Sequence, residues 1–225
     1  MFGAKDIQKS YGKQKVLEGL SFQAQLGQIL GIFGLNGSGK TTLLRILSGL
    51  DGDFSGSLEK TDLEDVAYMS VDTIYPSDMR VKDAVEFHKT FLDGQDTAAI
   101  ETELARTGIK RKAFLKSLSS GMRQYVKFLL TVYSGASVCL FDEPLTNLDV
   151  NLRERIVQIL IEQSSEKRLF VITTHEIKEV ERLIDGFFIL KEGKLSSYYE
   201  SERIVAESGK SIEEFYKEEV NAQNE

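Results

Sequence analysis

The 225-residue sequence has little of three things: cysteine, long apolar runs and positive charge. Its one cysteine, Cys139, cannot form an internal disulfide, and its place in an apolar run predicts a core residue of a reduced cytosolic protein. No apolar stretch approaches the ~20 residues that cross a bilayer, and the first residues lack the basic-then-apolar pattern of a targeting signal. A net charge of −7 argues against a nucleic-acid-binding surface.

The rest of the composition is typical of a globular protein, with 41% hydrophobic and 28% charged residues. The negative charge is concentrated in residues 200–225, which hold eight glutamates against three lysines or arginines. Within this acidic tail, Ile212, Phe215, Tyr216 and Val220 have helical spacing. We predict a helical tail whose apolar residues pack on their own domain, and packing on a partner is the alternative.

Apolar and alternating segments take turns with segments of helical spacing along the chain. Strands are predicted at 4–8, 21–25, 28–33, 57–59, 66–69, 137–141, 169–173 and 186–190. Helices are predicted at 42–47, 81–88, 99–105, 124–131, 152–162 and 176–183. This alternation predicts an α/β protein with a parallel sheet and an inserted helical block, which we place at about 72–131.

Residues 34–41 read Gly-Leu-Asn-Gly-Ser-Gly-Lys-Thr, which fits the phosphate-binding pattern G-x-x-x-x-G-K-[ST] between a predicted strand and a predicted helix. Glycines let backbone N–H groups face phosphate oxygens, and the helix N-terminus adds its positive dipole end. We predict that Lys40 reaches the β- and γ-phosphates and that the Thr41 hydroxyl ligates Mg²⁺. The predicted nucleotide contacts of this phosphate loop are Gly34, Leu35, Asn36, Gly37, Ser38, Gly39, Lys40, Thr41 and the following Thr42.

Two carboxylates, Asp142 and Glu143, follow the apolar run 138–141. The C-terminal end of a parallel strand opens into the crevice where α/β sheets bind ligands, so Asp142 can hold Mg²⁺ and Glu143 can polarise the attacking water. A pair of solvated acids is the alternative. His175 ends the next predicted strand and can contact the γ-phosphate or orient the water, although a lone histidine is usually structural. His88 is assigned no role.

The segment Leu-Ser-Ser-Gly-Met at 118–122 precedes a helix that we predict to open at Arg123. Ser119 and the free backbone N–H groups at a helix N-terminus form an anion site. On spacing alone, a plain helix N-cap is the favoured interpretation.

Together these motifs resemble the nucleotide-binding subunit of ATP-binding cassette (ABC) transporters over about the first 195 residues. The resemblance covers the phosphate loop, the signature loop 118–122, Asp142-Glu143, the D-loop Asn147-Leu148-Asp149, the switch histidine His175, and Tyr11 as the aromatic that stacks on adenine. It implies an ABC-type P-loop NTPase core with an N-terminal antiparallel β subdomain. It also implies Val16 as a nucleotide contact, an ATPase domain at 1–199 and an acidic tail at 200–225.

The same resemblance implies a composite site between two cassettes that meet head to tail around ATP and Mg²⁺. One cassette would supply the catalytic residues Lys40, Glu143 and His175 and the metal ligands Thr41 and Asp142. These would face the trans residues Ser119 and Gly121 of the other cassette, and Asp149 would communicate between the sites. A separate membrane permease would dock on the helical block, which implies a cytoplasmic protein on the inner face of the cell membrane. No nucleic-acid partner is expected. The stretch 74–81 resembles export-type cassettes.

Two places depart from the family pattern. Val71, which cannot ligate a metal, stands where the family has a glutamine that ligates Mg²⁺; the neighbouring Asp72 can ligate a metal, but its shorter, charged side chain is a poor match for that glutamine. Ser120 and Met122 stand where glycine and glutamine are usual, while the two phosphate-facing residues of the signature loop are kept.

Because Glu143 and His175 are both present, we predict an active ATPase that energises a separate permease. A cassette ATPase that acts on a macromolecular complex is the alternative. A non-catalytic module that dimerises on ATP is a third class, which the presence of both residues disfavours.

Overall fold

Ten strands and eight α-helices make up the part of the chain that the computed structural model describes, residues 1–60, 66–72, 75–76, 78–91 and 94–222. The strands are β1 (Phe2–Tyr11), β2 (Gln14–Ala24), β3 (Ile29–Phe33), β4 (Ser55–Lys60), β5 (Val66–Met69), β6 (Val138–Asp142), β7 (Leu169–Thr174), β8 (Gly186–Lys191), β9 (Lys194–Leu195) and β10 (Tyr199–Glu200). The helices are α1 (Lys40–Ser48), α2 (Val81–Phe91), α3 (Thr97–Arg106), α4 (Ser120–Val132), α5 (Val150–Gln163), α6 (Ile177–Val180), α7 (Ser201–Ser208) and α8 (Ile212–Ala222).

The larger sheet has the strand order β10-β8-β3-β7-β6-β5, with β9 paired to β8. The five strands from β8 to β5 in this order pair in parallel, whereas β9 and β10 are antiparallel to β8. Phe33 at the end of β3 lies beside Thr174, and Asp142 at the end of β6 lies beside Thr173. The phosphate loop, Glu143 and His175 each follow one of these strand ends. They therefore meet at one edge of the sheet. The predicted α/β class with a mainly parallel sheet is confirmed.

The smaller sheet is antiparallel, in the order β2-β1-β4, and confirms the implied antiparallel β subdomain. Its strands are longer than the predicted segments 4–8 and 21–25. The pairing of β1 with β2 shifts register three times, and Asp6 has a φ of 54°. Such bulges interrupt the alternation of apolar and polar residues, so the sequence pattern shows only fragments of the two strands.

Helices α2, α3 and α4 and a 3₁₀ turn (Leu115–Ser117) lie between β5 and β6 in the chain. Helix α4 begins at Ser120, three residues before the predicted Arg123, because the Ser119 side chain accepts the Met122 N–H and caps the helix. Residues 74 and 77 of the export-like stretch 74–81 lie outside the described residues.

Helix α6 is one turn long, shorter than the predicted 176–183. The chain turns where the Leu183 N–H donates to Val180 O at 2.8 Å. This turn delivers Asp185 to the sheet, where its carboxylate accepts the Ile29 N–H at 2.7 Å. Within the described residues, no helix is both long and apolar enough to span a bilayer.

The acidic tail forms two helices, α7 and α8, with Gly209 between them. Ile212 is buried in the core, and Phe215, Tyr216 and Val220 pack against the same apolar cluster. The Tyr216 ring lies edge-on to Phe33, with 6.2 Å between ring centroids. The described part of the tail, up to residue 222, thus packs on its own domain. Cys139 is fully buried in the same cluster, as predicted.

Candidate functional site: a nucleotide-binding edge of the sheet

The phosphate loop joins the end of β3 to the start of α1. Gly37 and Gly39 have φ angles of 80° and 107°, in the region that favours glycine. A Cβ atom at Gly39 would lie 3.1 Å from Val16 O, and one at Gly34 would lie 2.4 Å from Leu190 O. Helix α1 has no side-chain cap, so its first N–H groups face the loop. The loop is therefore a backbone cradle of the kind that binds phosphate.

Two polar side chains of the phosphate loop lie close to its first residue, Gly34. The Lys40 amine donates to Gly34 O at 2.8 Å and to Leu35 O at 3.2 Å, and it lies 3.5 Å from a Glu143 carboxylate oxygen. The Ser38 hydroxyl is buried and has no hydrogen-bond partner among the described residues. A buried hydroxyl without a partner is costly, and a phosphate oxygen would satisfy it.

Asp142 lies fully buried at the end of β6. Its carboxylate accepts hydrogen bonds from the Thr173 hydroxyl at 2.8 Å and the Tyr68 hydroxyl at 3.2 Å, and the Thr41 hydroxyl lies near enough to lower its pKa. Burial raises the pKa of Asp142, and these three hydroxyl groups oppose that rise. The structure thus brings together Thr41 and Asp142, the predicted ligands of Mg²⁺. A hydroxyl and a carboxylate are oxygen donors that suit this hard cation.

Glu143 connects Lys40 with His175. One of its carboxylate oxygens faces the Lys40 amine, and the other accepts from His175 Nδ1 at 2.9 Å. The Glu143 side chain is 14% exposed and that of His175 is 46% exposed, so the group opens to solvent on the histidine side. The three predicted catalytic residues therefore form one connected group.

The trans residues lie on two other helix N-termini. Ser119 caps α4, as described above, and Asp149 caps α5 by accepting the Leu152 N–H at 3.0 Å. Gly121 packs against the D-loop, since a Cβ atom there would lie 2.7 Å from Asn147 O. Ser119 is exposed, so its cap role leaves one face of the signature loop open to solvent.

Tyr11 ends β1 and is 48% exposed. Its hydroxyl donates to Asp51 at 3.2 Å, and the Lys9 amine lies 4.9 Å from its ring centroid. Lys9 in turn donates to Asp51 at 2.8 Å. The aromatic predicted to stack on adenine is therefore fixed to the turn that follows α1. Val16, the other predicted nucleotide contact outside the phosphate loop, lies beside Gly39 of that loop.

Val71 stands at the position of the family glutamine, and the polar groups of the segment 70–72 have partners in α1 and α4. The Asp72 carboxylate forms an ion pair with Arg45 of α1, and Val71 is half exposed. The Lys127 amine of α4 donates to Ser70 O, Val71 O and Asp72 O at 2.8, 3.1 and 3.1 Å. The structure therefore gives Asp72 a partner other than the predicted metal site.

Three residues that contact the site were not predicted: Tyr68, Thr173 and Gln124. The first two bond Asp142, and the Gln124 amide donates to Glu143 O at 2.8 Å. The contact of Thr173 could have been predicted, because β7 lies next to β6 and the C-terminal ends of adjacent parallel strands lie at the same edge of a sheet. Gln124 approaches from another helix, and no local pattern marks it.

Comparison with known proteins identifies the family. Residues 17–146 match the ABC transporter family. An uncharacterized ABC transporter ATP-binding protein of Methanocaldococcus jannaschii is 31% identical over 88% of this chain and 77% of that protein. The chain belongs to the ABC transporter family of ATP-binding proteins. It is an ATP-binding and ATP-hydrolysing subunit that energises transport, and subunits of this kind work with membrane permease components.

Other relatives of this ABC ATP-binding protein include one named for export and one named for a permease. A Nod factor export ATP-binding protein of Ralstonia nicotianae is 30% identical over 96% of this chain and 72% of that protein. An octopine permease ATP-binding protein of Agrobacterium tumefaciens is 30% identical over 94% of this chain and 88% of that protein. The solved structure of an ATP-binding subunit of an ABC transporter has the same fold, with a TM-score of 0.83 at 23% identity over 97% of this chain and 98% of that one. The export type stays a prediction.

Proposed function

We propose that this ABC ATP-binding protein hydrolyses Mg²⁺-ATP in a site completed by a second cassette, and that closure of the two cassettes drives a separate membrane permease. One observation carries the proposal. Lys40, Glu143 and His175 form a connected group at one sheet edge, whereas the exposed Ser119 caps a different helix. If the signature loop of one cassette binds a phosphate, that phosphate would therefore belong to the ATP held by the partner cassette.

Within one cassette, the phosphate loop and the Lys40 amine would bind the β- and γ-phosphates. Glu143 would accept a hydrogen bond from the attacking water, and the His175 Nδ1–H would hold the carboxylate in place. Thr41 and Asp142 would hold Mg²⁺, which supplies charge neutralisation at the transferring phosphate when it is bound. Tyr11 would stack on the base, with Val16 as a further contact.

Across the interface, Ser119 and Gly121 would present the α4 N-terminus to the γ-phosphate of the partner site, and Asp149 would link the two sites. ATP would therefore favour the closed pair because it contacts both halves only when they meet. The helical block at about 72–131 would receive the permease. The ATPase domain at 1–199 would lie on the cytoplasmic face of the membrane, with the tail at 200–225 packed on it.

Mixing two inactive variants tests the composite site. Lys40→Ala removes the phosphate-binding amine of its own site, and Ser119→Asp keeps the α4 cap but places a carboxylate against the partner's phosphate. Each variant alone is expected to lose nearly all turnover. A one-to-one mixture pairs an intact Lys40 with an intact Ser119 in half of its dimers, so it should recover up to about a quarter of the wild-type rate of phosphate release.

The matched control is Ser119→Asn, which keeps the cap without the charge and should stay active alone. A mixture as inactive as its components, at saturating ATP and at protein concentrations that support wild-type turnover, would contradict the shared site. So would an active Ser119→Asp variant.

A further inference from the structure

The backbone of Glu143 is held in an unusual conformation. Its φ of 50° is in the left-handed region, which a residue with a side chain adopts only when its surroundings impose it. Two hydrogen bonds hold this conformation, one at the Glu143 N–H and one at the Glu143 carbonyl oxygen. The Glu143 N–H donates to Thr173 O at 3.1 Å, and Glu143 O accepts from the Gln124 amide at 2.8 Å. The direction of the carboxylate thus depends on a residue of another helix.

That helix is α4, and its first turns pack closely on residues 143–149, which we call the base segment. Gly121 lies against Asn147 O so tightly that a Cβ atom would come within 2.7 Å of it. Leu145 and Leu148 are buried, at 0% and 7% exposed, and fix the base segment in the core. Ser119, which caps α4, is therefore rigidly connected to the backbone that carries Glu143.

We infer that Gln124 is a positioning residue that couples the signature loop of one cassette to the catalytic carboxylate of that same cassette. The inference rests on the proposed function. When a partner's phosphate engages Ser119, it acts on the α4 N-terminus. Gln124, little more than one turn further along the same helix, passes this constraint to the Glu143 carbonyl. Occupancy of one ATP site thereby sets the geometry of the base in the other, which makes hydrolysis cooperative.

Gln124→Met tests this role because methionine has a similar length but cannot donate a hydrogen bond. We expect kcat to fall about tenfold, the effect of one lost hydrogen bond on the barrier. The Hill coefficient for ATP should fall from above 1 in the wild type towards 1. The Kd of a fluorescent ATP analogue, measured without turnover, should stay within about twofold because no phosphate contact is lost. A purely structural role would not separate kcat from Kd in this way.

Gln95→Met is the matched control, since the Gln95 amide likewise donates to a backbone carbonyl, that of Val85 at 3.2 Å, in the helical block. It should retain wild-type kcat and cooperativity. Gln124→Glu, which has the same shape and no donor when ionised, is the second variant should Gln124→Met unfold.

The outcomes separate the inference from the function on which it rests. If a folded Gln124 variant keeps the wild-type kcat and Hill coefficient while Glu143→Gln is inactive, the coupling role of Gln124 is overturned and the proposed function stays intact. A wild-type Hill coefficient of 1 would do the same. An active Glu143→Gln variant would overturn both.

Discussion

Glu143→Gln is expected to lower the rate of phosphate release by at least about a hundredfold, the usual contribution of a general base. The amide has the shape of the carboxylate but cannot take a proton from water. It also loses the negative charge that faces the Lys40 amine at 3.5 Å and His175 Nδ1 at 2.9 Å. ATP binding should persist because the backbone cradle and Lys40 are unchanged. Steady-state phosphate release and the Kd of a fluorescent ATP analogue measure the two effects separately.

The same variant should accumulate as an ATP-bound dimer, because closure no longer leads to hydrolysis. Sedimentation with and without ATP would show it. Glu192→Gln is the matched control, since Glu192 also has a left-handed backbone, with a φ of 49°, and lies in the turn between β8 and β9. It should hydrolyse ATP at the wild-type rate. Undiminished turnover in Glu143→Gln would mean that another group activates the water.

Local patterns predicted the phosphate loop and the Asp142–Glu143 pair because their chemistry depends on neighbouring residues in a strand-loop-helix unit. The position of Asp142 directly after an apolar run also predicted that its carboxylate lies at the edge of the sheet, and the structure places the Thr41 hydroxyl near it. Such features can be predicted whenever the strands and helices around them are assigned correctly.

Contacts between distant segments could not be predicted in the same way. Gln124 and Lys127 read as ordinary polar positions of an amphipathic helix, yet the first bonds Glu143 O and the second bonds three carbonyls of the segment 70–72. Their roles depend on how α4 packs against two loops, one of which has a left-handed residue. The replacement of the family glutamine was visible in the sequence, but the ion pair between Asp72 and Arg45 was not.

A buried ion pair between the helical block and the core gives the largest expected effect on stability. Glu103 of α3 is 3% exposed, and its carboxylate accepts two hydrogen bonds from Arg155 of α5, at 2.9 and 2.7 Å. The Tyr125 hydroxyl of α4 donates to it at 2.9 Å. Three helices therefore meet at one carboxylate, which joins the helical block to the helix that Asp149 caps.

Arg155→Ala should lower the free energy of unfolding by up to about 3–5 kcal/mol, because it leaves the buried Glu103 carboxylate with only the exposed Arg106, 3.9 Å away, as counter-charge. Urea denaturation followed by circular dichroism measures the change. Arg203→Ala is the control: the pair Arg203–Glu207 lies on the surface of α7, with side chains 68% and 63% exposed, so its loss should leave the unfolding free energy almost unchanged. A loss below about 1 kcal/mol in Arg155→Ala would show that water reaches Glu103 once the arginine is gone.

The pH dependence of this loss follows from the pKa of Glu103. Burial raises that pKa, but the hydrogen bonds from Arg155 and Tyr125, together with the charges of Arg155 and Arg106, outweigh burial and hold it below its ordinary value of 4.5. The wild type therefore has the full contribution of the pair above pH 4.5 and loses it as the pH falls through the lowered pKa. In Arg155→Ala, burial would be opposed only by the Tyr125 hydrogen bond and the charge of Arg106, so the pKa of Glu103 would be higher than in the wild type and protonation on acidification would relieve the poorly compensated charge. The difference in unfolding free energy between the two proteins should consequently be larger at pH 7 than near pH 4.5, and a constant difference would assign the loss to packing of the arginine side chain rather than to its charge.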